Sequence, residues 1–432
     1  MTTRLALEFA AGSLIAAALA HAAFAISAPE GAEAYYAWLT SCLDAIEKDL
    51  PLYTRSAEAA AKVYLADGAE IGAYGGDPFV RELYNRSGGM MQMRNFDAPF
   101  RRGEMPATPR KSVALVGLRE DRMDDTVAKI VEFRKRECFV VVFGRAELLL
   151  RARKALPEGA APDAWIDTHA APLGGLLFAA GGNWIVPTDS AALSAASWAW
   201  VGEFVAALTR LGKMPPMYLG YAIEGAAARE AKYKGLKFHD ALPCRLEAGS
   251  LSRQWLASLR ASLKEIRNRE MPAVRVAATM AAAAQAAKGK RWVYLQGHET
   301  LRLMGCPHDP KWFEPIHRDW NTLKRDAVLS PGDFVLCVGY DQIYDGEAWQ
   351  NFASNARKSG ARLAWSFTDY RNADDGAVPP GEPCINQHWP RGDAVAEVPN
   401  YDIRCLPTSG VIAEAVLWMV HAEMTRIPTA PK

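Results

Sequence analysis

Apolar residues recur at helical spacing between residues 35 and 65, at Trp38, Leu39, Leu43, Ile46, Leu50 and Val63. Pro51 interrupts that run, and a proline inside a helical pattern ends or kinks the helix, so two helices meet there. Residues 251–287 repeat the arrangement with the break at Pro272. Short apolar runs at 69–74 and 291–295 lead into glycine. The runs SVALVG at 112–117 and DFVLCVG at 333–339 are continuously apolar, the pattern of a parallel strand buried on both faces. Residues 125–136 and 348–358 then read as crossover helices, and 139–143 and 362–367 as the following strands. Residues 217–237, rich in Ala and Lys, predict a helix inside a linker punctuated by Asp240–Pro243 and Gly249-Ser250. Strands alternating with helices give a doubly wound α/β layer.

The pattern occurs twice. Pro51 and Pro272, Gly68 and Gly289, and Gly76 and Gly297 are all 221 residues apart. Gly117 and Gly339 are 222 apart, and Pro187 and Pro407 are 220 apart. One offset held across helix, strand and loop indicates two tandem α/β domains related by internal duplication, at residues 29–240 and 241–432. Such a long period argues for a pair rather than a solenoid. Ligands of doubly wound sheets lie at the carboxyl ends of strands, and ligand sites favour domain interfaces. This directs attention to Gly75, Gly76 and Asp77, to Gly117 and Arg119, to Gly297 and Thr300, and to Gly339.

Composition changes the picture little. The chain has 432 residues, 50% of them hydrophobic and 23% charged, with net charge +1. Nucleic acid as a partner is excluded by the lack of a basic field. Residues 9–25 are small and apolar and end in Ala23-Phe24-Ala25, as a cleaved export signal does. We therefore expect residues 1–28 to be a signal peptide and the protein to be exported. The alternative is an Ala-rich first helix in a cytoplasmic protein, which Glu8 and His21 favour. No later run reaches the ~20 apolar residues of a membrane helix, so no stable membrane insertion is expected. The seven cysteines contain no CxxC pair. Cys138 and Cys337 fall in or beside strands, as buried thiols do, and in an exported protein Cys384 and Cys405, both in the last loop region, could form a disulfide.

Glu82-Leu83-Tyr84-Asn85-Arg86-Ser87-Gly88-Gly89-Met90, following a glycine-ended strand, resembles the sugar isomerase (SIS) domain family. Leu406-Pro407-Thr408-Ser409-Gly410 resembles that family's closing Pro-Thr-Ser helix, and Pro187-Thr188-Asp189-Ser190 is a weaker copy. The resemblance spans both halves. It implies tandem SIS-like domains, a sugar or sugar derivative as partner, and isomerisation, deamination or simple binding as the activity; no cofactor is expected. It also places Thr188, Ser190, Thr408 and Ser409 in the ligand site.

The departures from that family bear on specificity. Hydroxyl side chains normally hold phosphate where a loop enters a helix. Here the first loop reads Gly75-Gly76-Asp77-Pro78 and its counterpart Gly297-His298-Glu299-Thr300. The second loops, Gly117-Leu118-Arg119-Glu120-Asp121 and Gly339-Tyr340-Asp341-Gln342, also lack the serine cluster. At 4 Å and an effective dielectric near 20, a like-charge pair costs about 4 kcal/mol, well above the ~1 kcal/mol of one neutral hydrogen bond. An eroded phosphate site and a neutral or amine-bearing sugar follow.

Aldose–ketose chemistry needs a carboxylate base and a group that opens the ring. Glu299 and Glu347 are the candidate bases and His298 the ring-opening group. The bland alternative for both acids is a helix-start carboxylate favoured by the dipole. His298, Cys306, His308 and His317 fit no compact metal motif, so no metal is expected. Glu82 and Arg86, four apart, read as a helix-surface ion pair. Trp198 and Trp200 read as core packing, and Trp312 and Trp320 as candidates for sugar stacking. The alternative to a sugar-binding protein is a structural or interaction protein with a vestigial cleft. Nothing in the chain excludes a homodimer.

Overall fold

The computed structural model describes residues 30–76, 79–97, 109–176, 186–221, 223–295, 312–316, 328–341, 346–368 and 381–427, with the side chains of 295 and 340–350 excepted. The amino-terminal half opens with helices α1 (Ala32–Lys48) and α2 (Leu50–Tyr64). They meet at Asp49, with Pro51 in the first turn of α2, where a missing N–H costs nothing. Then follow β1 (Ile71–Tyr74), α3 (Phe79–Leu83), β2 (Met93–Asn95), β3 (Val113–Gly117), α4 (Met123–Lys135), β4 (Phe139–Gly144), α5 (Ala146–Ala155), β5 (Ala164–Asp167) and α6 (Asp189–Arg210). A short helix, α7 (Ala226–Tyr233), lies in the connection. The carboxy-terminal half runs α8 (Ser250–Glu265), a π-helical turn at Ile266–Glu270, α9 (Met271–Ala286), β6 (Arg291–Leu295), β7 (Glu314–Ile316), β8 (Phe334–Asp341), α10 (Gly346–Lys358), β9 (Arg362–Thr368), β10 (Cys384–Asn386) and α11 (Ser409–Met424).

Among the described residues both sheets have five strands and the same order, β2-β1-β3-β4-β5 and β7-β6-β8-β9-β10. Every pairing within them is parallel, with Ile71 opposite Val113 in one sheet and Arg291 opposite Phe334 in the other. This is the expected doubly wound α/β fold. β1 and β3 are buried along their whole length, which accounts for their continuous apolar runs. The outer strands β2, β5, β7 and β10 were not evident in the sequence. They have three or four residues each, too few for a periodicity to register. The predicted linker helix is shorter than expected, starting at Ala226 after Gly225 in the left-handed region.

The centre of the molecule is helical. All sixteen residues of α11 are buried, as are twenty of the twenty-two in α6. A helix apolar on every side belongs in a core. By composition α6 is long and apolar enough to cross a membrane, contrary to expectation, but its apolar window is 100% buried inside the fold. One hydrophobic cluster joins α1, α2, α6, α8, α9 and α11 across both halves.

The halves are joined reciprocally. α1 packs on α11 of the other half, and α8 packs on α6. Both α1 and α8 begin at a glycine with positive φ, Gly31 (60°) and Gly249 (80°), which offers no side chain to cap the first turn. The opposite half supplies the cap. Glu203 of α6 accepts from the Gly249 N–H at 2.9 Å, the Ser252 hydroxyl at 2.7 Å and the Thr54 hydroxyl at 2.6 Å. Glu423 of α11 accepts from the Ala32 N–H at 3.1 Å. Each carboxylate satisfies amides that would otherwise be orphaned at a buried helix start.

Candidate functional site

The crevice at the carboxyl ends of β1 and β3, where strand order reverses, is the expected ligand position in sheet one. Gly75 (φ 135°) follows β1 there. A side chain on Gly75 would collide with the Gly117 carbonyl, and one on Gly117 would collide with the Phe79 ring. The two loops thus touch directly, and Phe79, fully buried, fills the space beneath them. Gly76 lies against the Arg122 guanidinium.

The cations at this end of the sheet have carboxylate partners. Arg119 donates to Asp121 at 3.0 and 2.7 Å, and that hydrogen bonding holds the Asp121 carboxyl below its ordinary range. Arg122 grips Asp97 with two bonds of 2.9 and 3.1 Å, which raise its own basicity. Arg145, only 4% exposed, donates to Glu120 at 2.6 Å and to Asp189. Burial pushes Asp189 up, and Arg145 opposes it. Thr188, also buried, uses its hydroxyl to accept from the Ala171 N–H at 3.2 Å.

A second group of predicted residues meets between the halves, at the starts of α6 and α11. Glu82 and Arg86 belong to it, and each is 1% exposed, so the expected surface ion pair is a buried one. The two elements that cover them, α6 and α11, are remote in sequence. Arg86 donates to the Ser409 hydroxyl at 2.8 Å and lies 3.4 Å from Glu82 and 3.5 Å from Asp393. Glu82 accepts from the Trp198 indole at 2.8 Å. Asp393 accepts from the N–H of Thr408 (3.1 Å), the N–H of Ser409 (2.8 Å) and the Ser409 hydroxyl (2.6 Å). Glu414, one turn into α11, is buried with the Ser190 hydroxyl acting on it. Burial raises Glu82, Asp393 and, most strongly, Glu414, with Arg86 opposing in each case. The site therefore brings Ser190, Thr408 and Ser409 together with Glu82 and Arg86, while Gly75, Gly76, Gly117, Arg119 and Thr188 line the sheet end.

One arrangement went unnoticed in the sequence. His169 follows β5 and His388 follows β10, both with positive φ (57° and 54°). Asp167 and Asn386 each accept from the histidine two residues on, at 2.9 and 3.0 Å. Each ring Nε2 lies 2.9 Å from a carboxylate at the start of a Pro-containing helix, Asp49 for His169 and Glu270 for His388. The Asx-x-His spacing beside the repeat offset was the available signal.

Gly339 is buried in β8, its carbonyl accepting from Gln387 at 3.3 Å. The Glu347 backbone lies in the first turn of α10. Asp77, Gly297, His298, Glu299 and Thr300 lie outside the described residues, as do Cys306, His308, His317 and Trp320. Trp198 and Trp200 are core residues, as expected. Trp312 is not an open stacking face, because it stacks on His421 with ring centroids 4.6 Å apart. Cys138 and Cys337 are buried, as expected. Cys405 is a buried free thiol, so the Cys384–Cys405 disulfide is not formed.

No protein-family model matches the sequence, and no curated protein matches it. Solved structures similar to the chain include a putative phosphosugar isomerase from Silicibacter pomeroyi DSS-3. It has 12% identity over 91% of this chain and 97% of that chain, at a TM-score of 0.48. Another is the tagatose-6-phosphate ketose/aldose isomerase of Escherichia coli, with 10% identity, 91% and 88% coverage and a TM-score of 0.44. A third is the C-terminal domain of glucosamine-fructose-6-phosphate aminotransferase from Francisella tularensis, with 10% identity, 88% and 94% coverage and a TM-score of 0.41.

Proposed function

We propose that this protein binds a carbohydrate derivative at the carboxyl ends of its sheets without relying on a phosphate group. The observation that carries the reading is the pairing of Arg119, Arg122 and Arg145 with Asp121, Asp97, Glu120 and Asp189. A phosphate entering this crevice would have to displace carboxylates or sit beside them, and each like-charge pair at close range costs about 4 kcal/mol at an effective dielectric near 20. An uncharged or amino sugar meets no such opposition. If the protein is an isomerase, His298 opens the ring and Glu299, with Glu347 as the second acid, moves the proton. Export through residues 1–28 fits a ligand that is not a phosphorylated metabolite.

Thermal shift against paired sugars tests the reading, each amino or neutral sugar beside its phosphate ester. A ligand at about one hundred times its dissociation constant stabilises by about 2.7 kcal/mol. Stabilisation by the unphosphorylated member is expected. Stronger stabilisation by the esters overturns it. A second reading, an interaction protein with a vestigial crevice, is favoured by Phe79 and by the direct Gly75–Gly117 contact. Silence across the whole panel would favour that one.

A further inference from the structure

We propose that the interdomain cluster is a proton-dependent lock, in which the halves stay docked around Glu82, Asp393 and Glu414 only while the Glu82–Glu414 pair holds a proton. The three carboxylates come from α3, from the loop before α11 and from α11 itself, and none is more than 1% exposed. Among the described residues Arg86 is the one cation at the cluster. Asp393 is built to carry the matching negative charge. It accepts three hydrogen bonds, two of them from backbone N–H groups at the α11 start, besides lying 3.5 Å from Arg86.

The remaining pair is not built for charge. Glu82 uses one oxygen for Trp198 and Arg86, and its Oε2 is buried without a hydrogen-bond partner. Both Glu414 oxygens are buried with no well-formed hydrogen bond from a described residue, the Ser190 hydroxyl being the one donor that acts on them. Glu414 is faced by Glu82 and Arg86 from α3 and the turn after it, by Tyr35 from α1 and by the uncharged Ser190 from α6. No other ionisable group among the described residues of α6, α8 or α9 acts on it. An unpaired buried charge costs several kcal/mol, so a proton on the pair removes the largest penalty.

Burial raises Glu82 and Glu414 above the ordinary carboxylate range, so the folded state binds more protons than the unfolded one. The associated stability is complete below the ordinary range and is lost as pH rises through the raised values. The lock therefore weakens on the alkaline side.

The test measures urea unfolding midpoints from about pH 6 to about pH 9, together with the infrared carbonyl stretch of protonated carboxyl groups at neutral pH. Wild type should lose stability at the alkaline end with a slope of about one proton and should show a protonated-carboxyl band. E414Q, a neutral isostere, should flatten the profile and remove that band. Should E414Q not fold, E82Q carries the same comparison. Parallel wild-type and variant profiles, or a wild-type spectrum without the band at neutral pH, overturn the proposal.

Discussion

A methyl group at Gly410 would overlap the Glu82 carboxylate, so this helical glycine exists to let another segment pass. On an exposed helix face the change to alanine would gain about 1 kcal/mol of propensity. Here overpacking should reverse the sign, and Gly410→Ala should destabilise by about 1–3 kcal/mol in urea unfolding, and by less in an E82A background. His421 shows a different single-residue effect. Both its ring nitrogens are buried without hydrogen-bond partners, between Trp312 and Trp418. Burial, with Arg291 adding to it, drops its pKa from 6.5 to about 3. The folded state keeps the neutral ring, so stability is full above the unfolded value and falls with acid across that interval. His421→Phe should abolish that part of the acid-side loss in pH-dependent thermal melts.

Helices α1 and α8 start at glycines and borrow their caps from α11 and α6. Glu203→Ala leaves the buried Gly249 amide without its acceptor, takes the acceptor of the half-buried Thr54 hydroxyl, and leaves the Ser252 hydroxyl only the Ala199 carbonyl at 2.7 Å. Hydrogen bonds to a charged acceptor contribute about 1.5–3 kcal/mol each and are not additive. We expect a total loss of about 3 kcal/mol, with faster amide hydrogen exchange confined to residues 249–252. Glu423→Ala should act likewise at the start of α1, but more weakly, because among the described residues Ala32 is the one amide bound to it. The helix pairs and the long central strands were legible from periodicity and proline. The outer strands were not, since three residues hold too little pattern to separate from loop.

The reciprocal packing has a consequence for the whole molecule. Each half lacks most of the partner surface for its own first helix, because α1 packs chiefly on α11 and α8 chiefly on α6. Residues 30–240 and 241–432 expressed separately should therefore give little cooperative unfolding, whereas co-refolding should restore a complex with the secondary structure of the intact chain. Circular dichroism melts and size-exclusion chromatography check this, and independent sharp transitions for both pieces would contradict it. Docking also buries the Glu82–Arg86–Asp393 cluster, so the cluster and the shared core form together.

What the sequence determined by itself is what depends on local pattern: the helix breaks at Pro51 and Pro272, the continuous apolar strands, the repeat offset and the α/β class. It also brought Glu82, Arg86, Thr408 and Ser409 into view as residues of interest. Only the tertiary structure decided their surroundings. A four-residue spacing places Glu82 and Arg86 on one side of a turn whether that side meets water or α11, and the difference lies in a helix more than three hundred residues away in sequence. The same holds for Arg122 and Arg145 at the sheet end, whose partners Asp97 and Asp189 come from the segment after β2 and the start of α6. Burial and charge pairing are sums over neighbours that the fold assembles, and they decide whether a carboxylate is a solvated surface group or a proton held in the core.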